Sequence, residues 1–126
     1  MLGRILQRKK KMFNVYLDDI RSGPINSAGG QLIGSDAYGF TYPDWHQWVV
    51  CRSMKCVQEL LECGLVRDLS LDHDLGEDLP TGYDLCKWMV ESNYWPKGDI
   101  FIHSQNPVGM RNMKELVDRY FYKKER

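Results

Sequence analysis

No sign of charge dominates this chain: its 126 residues carry 17 Lys and Arg against 17 Asp and Glu, a formal net charge of +0 at pH 7. A global field that would draw it to acidic partners is therefore missing, and stable binding to double-stranded DNA is not expected. Long hydrophobic runs are missing too. Nothing approaches the roughly 18 apolar residues of a membrane span, so no membrane association is expected. The first eleven residues hold charge but no apolar stretch, and they do not read as a signal peptide. Internal repeats and low-complexity tracts are absent. Cysteine is sparse, at Cys51, Cys56, Cys63 and Cys86, with no C-x-x-C pair and no zinc-like spacing to histidine. The four lie within apolar-periodic segments and read as buried, reduced thiols of a cytoplasmic protein.

What remains is a chain 43% hydrophobic and 27% charged, long enough for one domain with a continuous core. Basic residues gather in "RILQRKKKM" at one end and "RYFYKKER" at the other. Because "MFNVYLDD" begins with its own Met12, residues 1–11 are expected to be a basic, disordered extension and 12–126 a single domain.

Residues 13–17 (FNVYL) form a short apolar run that stops abruptly at Asp18-Asp19, as a strand covered on both faces would. A long Gly-, Pro- and aromatic-rich loop is expected over 22–45, with Tyr38, Phe40, Tyr42 and Trp45 too aromatic for a plain linker. "QWVVCR" (47–52) predicts a second strand, and Trp48 is expected to join Trp45 in the core. Ser53 caps a helix whose Met54, Val57, Leu60 and Leu61 recur at helical spacing up to Gly64. "VRDLSL" (66–71) predicts a third strand; Thr81 caps a helix carrying Tyr83, Leu85, Trp88 and Met89 to about Asn93. "IFIH" (100–103) predicts a fourth strand. A last helix runs to about Tyr122 with Met110, Met113, Leu116, Val117 and Tyr120 inward. Strands alternating with helices predict an α/β domain with a short, mostly parallel sheet of about four strands.

Three of those strands end in polar clusters: Asp18, Asp19 and Arg21; Asp72, His73 and Asp74; His103, Ser104 and Asn106. In a parallel sheet all carboxyl ends share one edge, and ligands bind in the crevice outside it. Each cluster alone has a plain structural reading: a turn at Asp18-Asp19, a hydrogen-bonding His73, a helix cap at Ser104 and Asn106 before Pro107. Their joint placement favours a site. Asp18, Asp19 and Asp72 are hard oxygen ligands suited to Mg²⁺ or Mn²⁺. Arg21 can neutralise them or grip a phosphate. His73 and His103 are candidates for general base and acid, because imidazole as a group suits proton transfer at neutral pH. Ser104, Asn106 and the amides opening the last helix suit an anion. Asp74 either supports the pocket or caps the turn at Gly76.

"LDDIRSGP", "LDHDLG", "TGYDLCKWM" and "HSQNPVGMRNM" together resemble the cyclic-phosphate-processing receiver-like family, over nearly all of residues 13–113. The resemblance implies a receiver-like, flavodoxin-like three-layer fold. It places Asp18 and Asp19 on the receivers' metal-binding acidic pair, Asp72 on their phosphoacceptor and Ser104 on their Ser or Thr after the fourth strand. The receivers' fifth strand and its lysine have no counterpart here, whereas His73, Asp74, His103 and Asn106 are additions. Phosphoester chemistry is therefore expected over phosphorelay: a metal-dependent hydrolase opening a cyclic phosphate on a nucleotide, a nucleotide-derived signal or an RNA end. Its catalytic residues would be His73, His103, Asp72 and Asp19, with Arg21, Ser104, Asn106, Asp74 and Asn112 on the substrate. The alternatives are a non-catalytic nucleotide-binding or signalling module, and a metal-independent two-histidine phosphoesterase. Nothing in the sequence sets the oligomeric state.

Overall fold

In Phe13–Leu17 (β1), alternate residues go to opposite faces: Val15 and Leu17 to one, Asn14 and Tyr16 to the other, all of them buried. The computed structural model describes residues 12–20 and 48–123. The other strands are Trp48–Cys51 (β2), Val66–Leu71 (β3) and Ile100–Ile102 (β4), in the order β2-β1-β3-β4 with every pair parallel. That order reverses direction beside β1, as in flavodoxin-like domains, and the fold is α/β of the receiver type. The strands keep to the sequence expectation, except that β2 stops before Arg52 and β4 before His103.

Register fixes the geometry of the upper edge. Leu17 pairs with both Cys51 and Leu71, and Leu71 with Ile102, so these four residues form one row across the sheet. The residues that follow emerge side by side: Arg52, Asp18, Asp72 and His103. Three backbone bonds extend the ladder one step past the row, from Asp18 N to Cys51 O, Asp72 N to Leu17 O and His103 N to Leu71 O.

Helices Met54–Glu62 (α1), Gly82–Ser92 (α2) and Pro107–Leu116 (α3) cover the Val15 face. Val57 and Leu61, Leu85 and Met89, and Met113 meet Leu17, Leu69, Leu71, Ile100 and Ile102 in one apolar core. Each helix begins as its sequence dictates. Ser53 accepts from Cys56 N, Thr81 and Asp84 form a reciprocal capping box, and Asn106 accepts from Gly109 N ahead of Pro107. On the opposite face Tyr16 and Phe101 are buried, with Trp48 half-buried against both. The three-layer expectation, the 1–11 extension, the 22–45 loop, Trp45 and Arg21 all concern residues outside the described ones. No helix among the described residues is long and apolar enough to cross a membrane.

Two expectations need correction. Cys51 and Cys56 are joined in a disulfide, Cys63 is exposed, and only Cys86 is a buried free thiol. The end of β2 and the first turn of α1 bring the bridged Cα atoms to 5.7 Å, a proximity that sequence spacing does not display. Tyr120 does not face inward: it is 43% exposed. After Leu116 the chain winds into a wider, π-helical turn over Val117–Phe121, closed by Tyr122 N on Val117 O. The extra residue in that turn moves Phe121 and Tyr122, rather than Tyr120, onto the core. The Tyr122 hydroxyl accepts from Ile100 N at 2.9 Å, covering part of the backbone of β4.

Candidate functional site

Asp18, Asp72 and His103 project from the sheet edge on the face shared by Tyr16, Ser70 and Phe101, because each lies two residues beyond one of these. The Asp18 carboxylate is buried. Its Oδ1 accepts from Ile20 N at 2.9 Å, and its Oδ2 accepts from His103 Nε2 at 3.1 Å. Asp72 Oδ1 accepts from His73 N at 2.8 Å. One oxygen from each of Asp18, Asp19 and Asp72 lies within 4.8 Å of the others. At an effective dielectric of about 20, each ionised pair so placed costs roughly 3 kcal/mol or more. A hard dication answers both the charge and the donor chemistry, so the residues fit Mg²⁺ or Mn²⁺.

His103 is locked in place. Its ring stacks on Tyr16 with centroids 4.1 Å apart and planes 5° from parallel. Nε2 carries the proton given to Asp18, and Nδ1 lies 2.6 Å from Ser70 Oγ, whose hydroxyl donates to it in the neutral ring. Both nitrogens are therefore engaged, and the ring holds the carboxylate of Asp18 in position as an outer-shell partner would.

His73 stands differently. Its side chain is 18% exposed and its ring lies directly over Gly109, so close that a Cβ there would run into the imidazole. Nδ1 lies 2.8 Å from Asp74 Oδ1 and 3.4 Å from Asn106 Nδ2; the shorter contact, to a carboxylate that can only accept, puts the proton on Nδ1 and leaves Nε2 as the lone pair of the neutral ring, with no hydrogen bond among the described residues. The Asp74 carboxylate, 66% exposed, thus turns to His73 rather than to the bend at Gly76. Asn106 Nδ2 reaches to 3.5 Å from Asp74 Oδ2, while its Oδ1 caps α3 on Gly109 N at 3.0 Å. Ser104 Oγ accepts from Asn106 N at 3.1 Å. These two side chains build the turn as well as bordering the site.

The structure therefore brings together Asp18, Asp19, Asp72, His73, Asp74, His103, Ser104 and Asn106. Asn112 is set apart, on the exposed side of α3, lining a small groove with Tyr83, Glu115, Leu116 and Arg119. Five residues went unread in the sequence. Ser70 and Tyr16 hold His103; both share its face through the two-residue period, and Ser70 is the one hydroxyl within an apolar run. Gly109 makes room for the His73 ring. Gly82 donates its N–H to His73 O at 2.8 Å and has no space for a Cβ against the Asp72 carbonyl. Arg52 places Nη1 at 3.2 Å from Asp18 O. The glycines stand in the quoted "TGYD" and "NPVG" stretches, where a residue lacking a Cβ signals close approach. A cleft of about 460 Å³ between the end of α1 and the α2–β4 turn (Cys63, Tyr94, Trp95, Lys97) lies at the opposite edge of the sheet and contains none of these groups.

The chain matches no curated protein and no solved structure. The family model of the cyclic-phosphate processing receiver domain matches residues 13–119, a span holding all four strands and α1, α2 and α3. With its parallel sheet in receiver order and an acidic cluster at the carboxyl edge, the chain belongs to the cyclic-phosphate processing receiver domain family.

Proposed function

We propose that this protein is a metal-dependent phosphoesterase that opens a cyclic phosphate on a nucleotide, a nucleotide-derived signal or an RNA end. One observation carries the reading: a histidine whose Nε2 has no partner among the described residues stands next to Asp72, one of whose carboxylate oxygens lies within 4.8 Å of oxygens of Asp18 and Asp19. Asp18, Asp19 and Asp72 would hold Mg²⁺ or Mn²⁺, which would supply Lewis acidity to the bound phosphate. His73 Nε2 takes the proton of the attacking water, while Asp74 on Nδ1 holds the ring and stabilises the imidazolium. The proton it gains is the one the departing sugar oxygen requires, so the ring ends the cycle neutral. His103 keeps Asp18 aimed, and the α3 amino end with Ser104 and Asn106 borders the phosphate.

The test is turnover of 2′,3′-cyclic-phosphate RNA ends, cyclic mono- and dinucleotides and cyclic ADP-ribose phosphates with Mn²⁺ or Mg²⁺. Wild type is expected to be active, His73→Ala and Asp72→Asn to lose at least a hundredfold in rate, and excess EDTA to abolish activity. Activity that persists in EDTA would remove the metal from the mechanism. No turnover of any substrate would leave the second reading, a nucleotide-binding module without chemistry. That reading is favoured by the full engagement of His103 and by the capping bonds of Ser104 and Asn106.

A further inference from the structure

The carboxylate that meets His73 is itself largely exposed, and an exposed side chain keeps one orientation only where something offsets its rotamer freedom. Asp74 Oδ1 accepts from His73 Nδ1–H at 2.8 Å. Its other oxygen faces Asn106, whose Nδ2 lies 3.5 Å from Oδ2. The orientation of that amide is set from its far side. Gly109 N, which can only donate, lies 3.0 Å from Asn106 Oδ1, so the carbonyl end points to α3 and the NH₂ end to Asp74. Nδ2 also stands 3.4 Å from His73 Nδ1, which carries the ring's proton and accepts nothing. Gly109 closes the circuit, because the His73 ring packs directly over it. One glycine thus supports the imidazole from below and, through its N–H, aims the side chain that faces the carboxylate.

We propose that Asn106 is a positioning residue, which holds Asp74 against His73 Nδ1 and so keeps Nε2 as the ring's lone pair; the proposal rests on the base role given to His73 above. A neutral imidazole carries one proton and can place it on either nitrogen. Only the tautomer with Nδ1–H offers Nε2 to a water, and Asp74 selects it only while its carboxylate stays in line with Nδ1. His73 and Asp74 are neighbours in the chain, so rotation of one exposed side chain would part them. Asn106 comes from the turn between β4 and α3, 32 residues further on, and ties that carboxylate to the start of a helix. An amide N–H turned towards an ionised oxygen is attracted by the whole charge, so the contact restrains Asp74 even at 3.5 Å.

The experiment uses Asn106→Ser and Asn106→Asp, which both keep an oxygen for Gly109 N and are good helix caps, so melting curves should match wild type. Serine is too short to reach Asp74, and aspartate turns an acceptor towards it. Nitrogen NMR of His73 in the metal-free proteins, at a pH above the range in which imidazole titrates, reads which ring nitrogen holds the proton. Wild type is expected to hold it on Nδ1, and both variants to show the two tautomers together. Turnover of a 2′,3′-cyclic nucleotide with Mn²⁺ then compares wild type, Asn106→Ser, Asp74→Ala and the double variant. Asn106→Ser should lose about tenfold in kcat with KM within about threefold, and less than about twofold further where Asp74 is already alanine. Variants that keep the Nδ1–H form overturn the proposal and leave the cyclic-phosphate reading in place. A KM that rises while kcat holds, or a loss of the same size in the Asp74→Ala background, overturns it in favour of direct contact with the substrate. Wild type that turns nothing over, yet loses its single tautomer in the variants, supports Asn106 and removes the catalysis. Wild type with the proton on Nε2 overturns the proposal and the base role of His73 together.

Discussion

At the scale of single residues, the site depends on two places where a Cβ is forbidden for different reasons. At Gly109 the obstacle is the imidazole of His73, a side chain that can swing away. Alanine is favoured over glycine within helices by about 1 kcal/mol, so Gly109→Ala is expected to keep or gain thermal stability. It should nevertheless lose at least tenfold in activity, because the displaced ring no longer presents Nε2; melting curves and kinetics on one preparation check both halves. At Gly82 the obstacle is the backbone carbonyl of Asp72, which cannot yield. Gly82→Ala should cost about 2 kcal/mol of stability by overpacking, read from urea midpoints. Cys86 sets a different residue-level outcome. Burial pushes its thiol from 9.0 up to about 12. An unfolded chain loses that proton near pH 9 while the folded one keeps it to about pH 12. In this window the unfolded state binds fewer protons, and stability must fall as pH rises, by up to about 1.4 kcal/mol per pH unit. Below pH 9 the group contributes no slope. Urea midpoints at pH 8 and 10.5 should show a drop in wild type that is smaller in Cys86→Ala.

At the scale of elements, the ends of strands and helices were legible because chemistry marks them. An apolar run gave way to charge at Asp18 and Asp72, Ser53, Thr81 and Asn106 announced caps, and Gly64 (φ 70°) and Asn93 (φ 61°) ended helices in left-handed geometry. What a single strand cannot display is register. The row Cys51, Leu17, Leu71, Ile102 makes neighbours of Arg52, Asp18, Asp72 and His103, and it depends on pairing between segments far apart in sequence. The π-helical turn was hidden for a related reason: a 3.6-residue period run past Leu116 selects Tyr120, and only the packed turn selects Phe121. The Cys51–Cys56 bridge belongs to this scale, since it joins β2 to α1 across a sequence separation of 5. Closing so short a loop restricts the unfolded chain by about 2 kcal/mol in the chain-entropy account. Reduction by a dithiol should therefore lower the melting temperature by several degrees, and Cys51→Ser should remove that sensitivity. A melting temperature indifferent to reductant would show that the bridge contributes nothing to the fold's stability, as a cytoplasmic setting would favour.

Over the whole molecule, charge is balanced in number but not in place. The chain carries a formal net charge of +0, yet one edge of its sheet collects Asp18, Asp19 and Asp72 within 4.8 Å. The fold tolerates this because ladder bonds, the Ile20 and His73 amides and the His103 ring hold the carboxylates there. Like charges held together should destabilise the metal-free protein and reward any cation that arrives, which predicts a crossover. Asp72→Asn keeps an oxygen to accept from His73 N and removes one charge. Without metal it should be more stable than wild type, by about 1–3 kcal/mol. With Mn²⁺ at a hundredfold excess over its dissociation constant, wild type should gain about 2.7 kcal/mol and the variant much less, so their order reverses. Denaturation of both proteins in EDTA and in Mn²⁺ measures this without any substrate. If Asp72→Asn is the less stable protein in both media, the carboxylates do not repel as the geometry requires, and the acidic cluster is a hydrogen-bonded turn rather than a cation site.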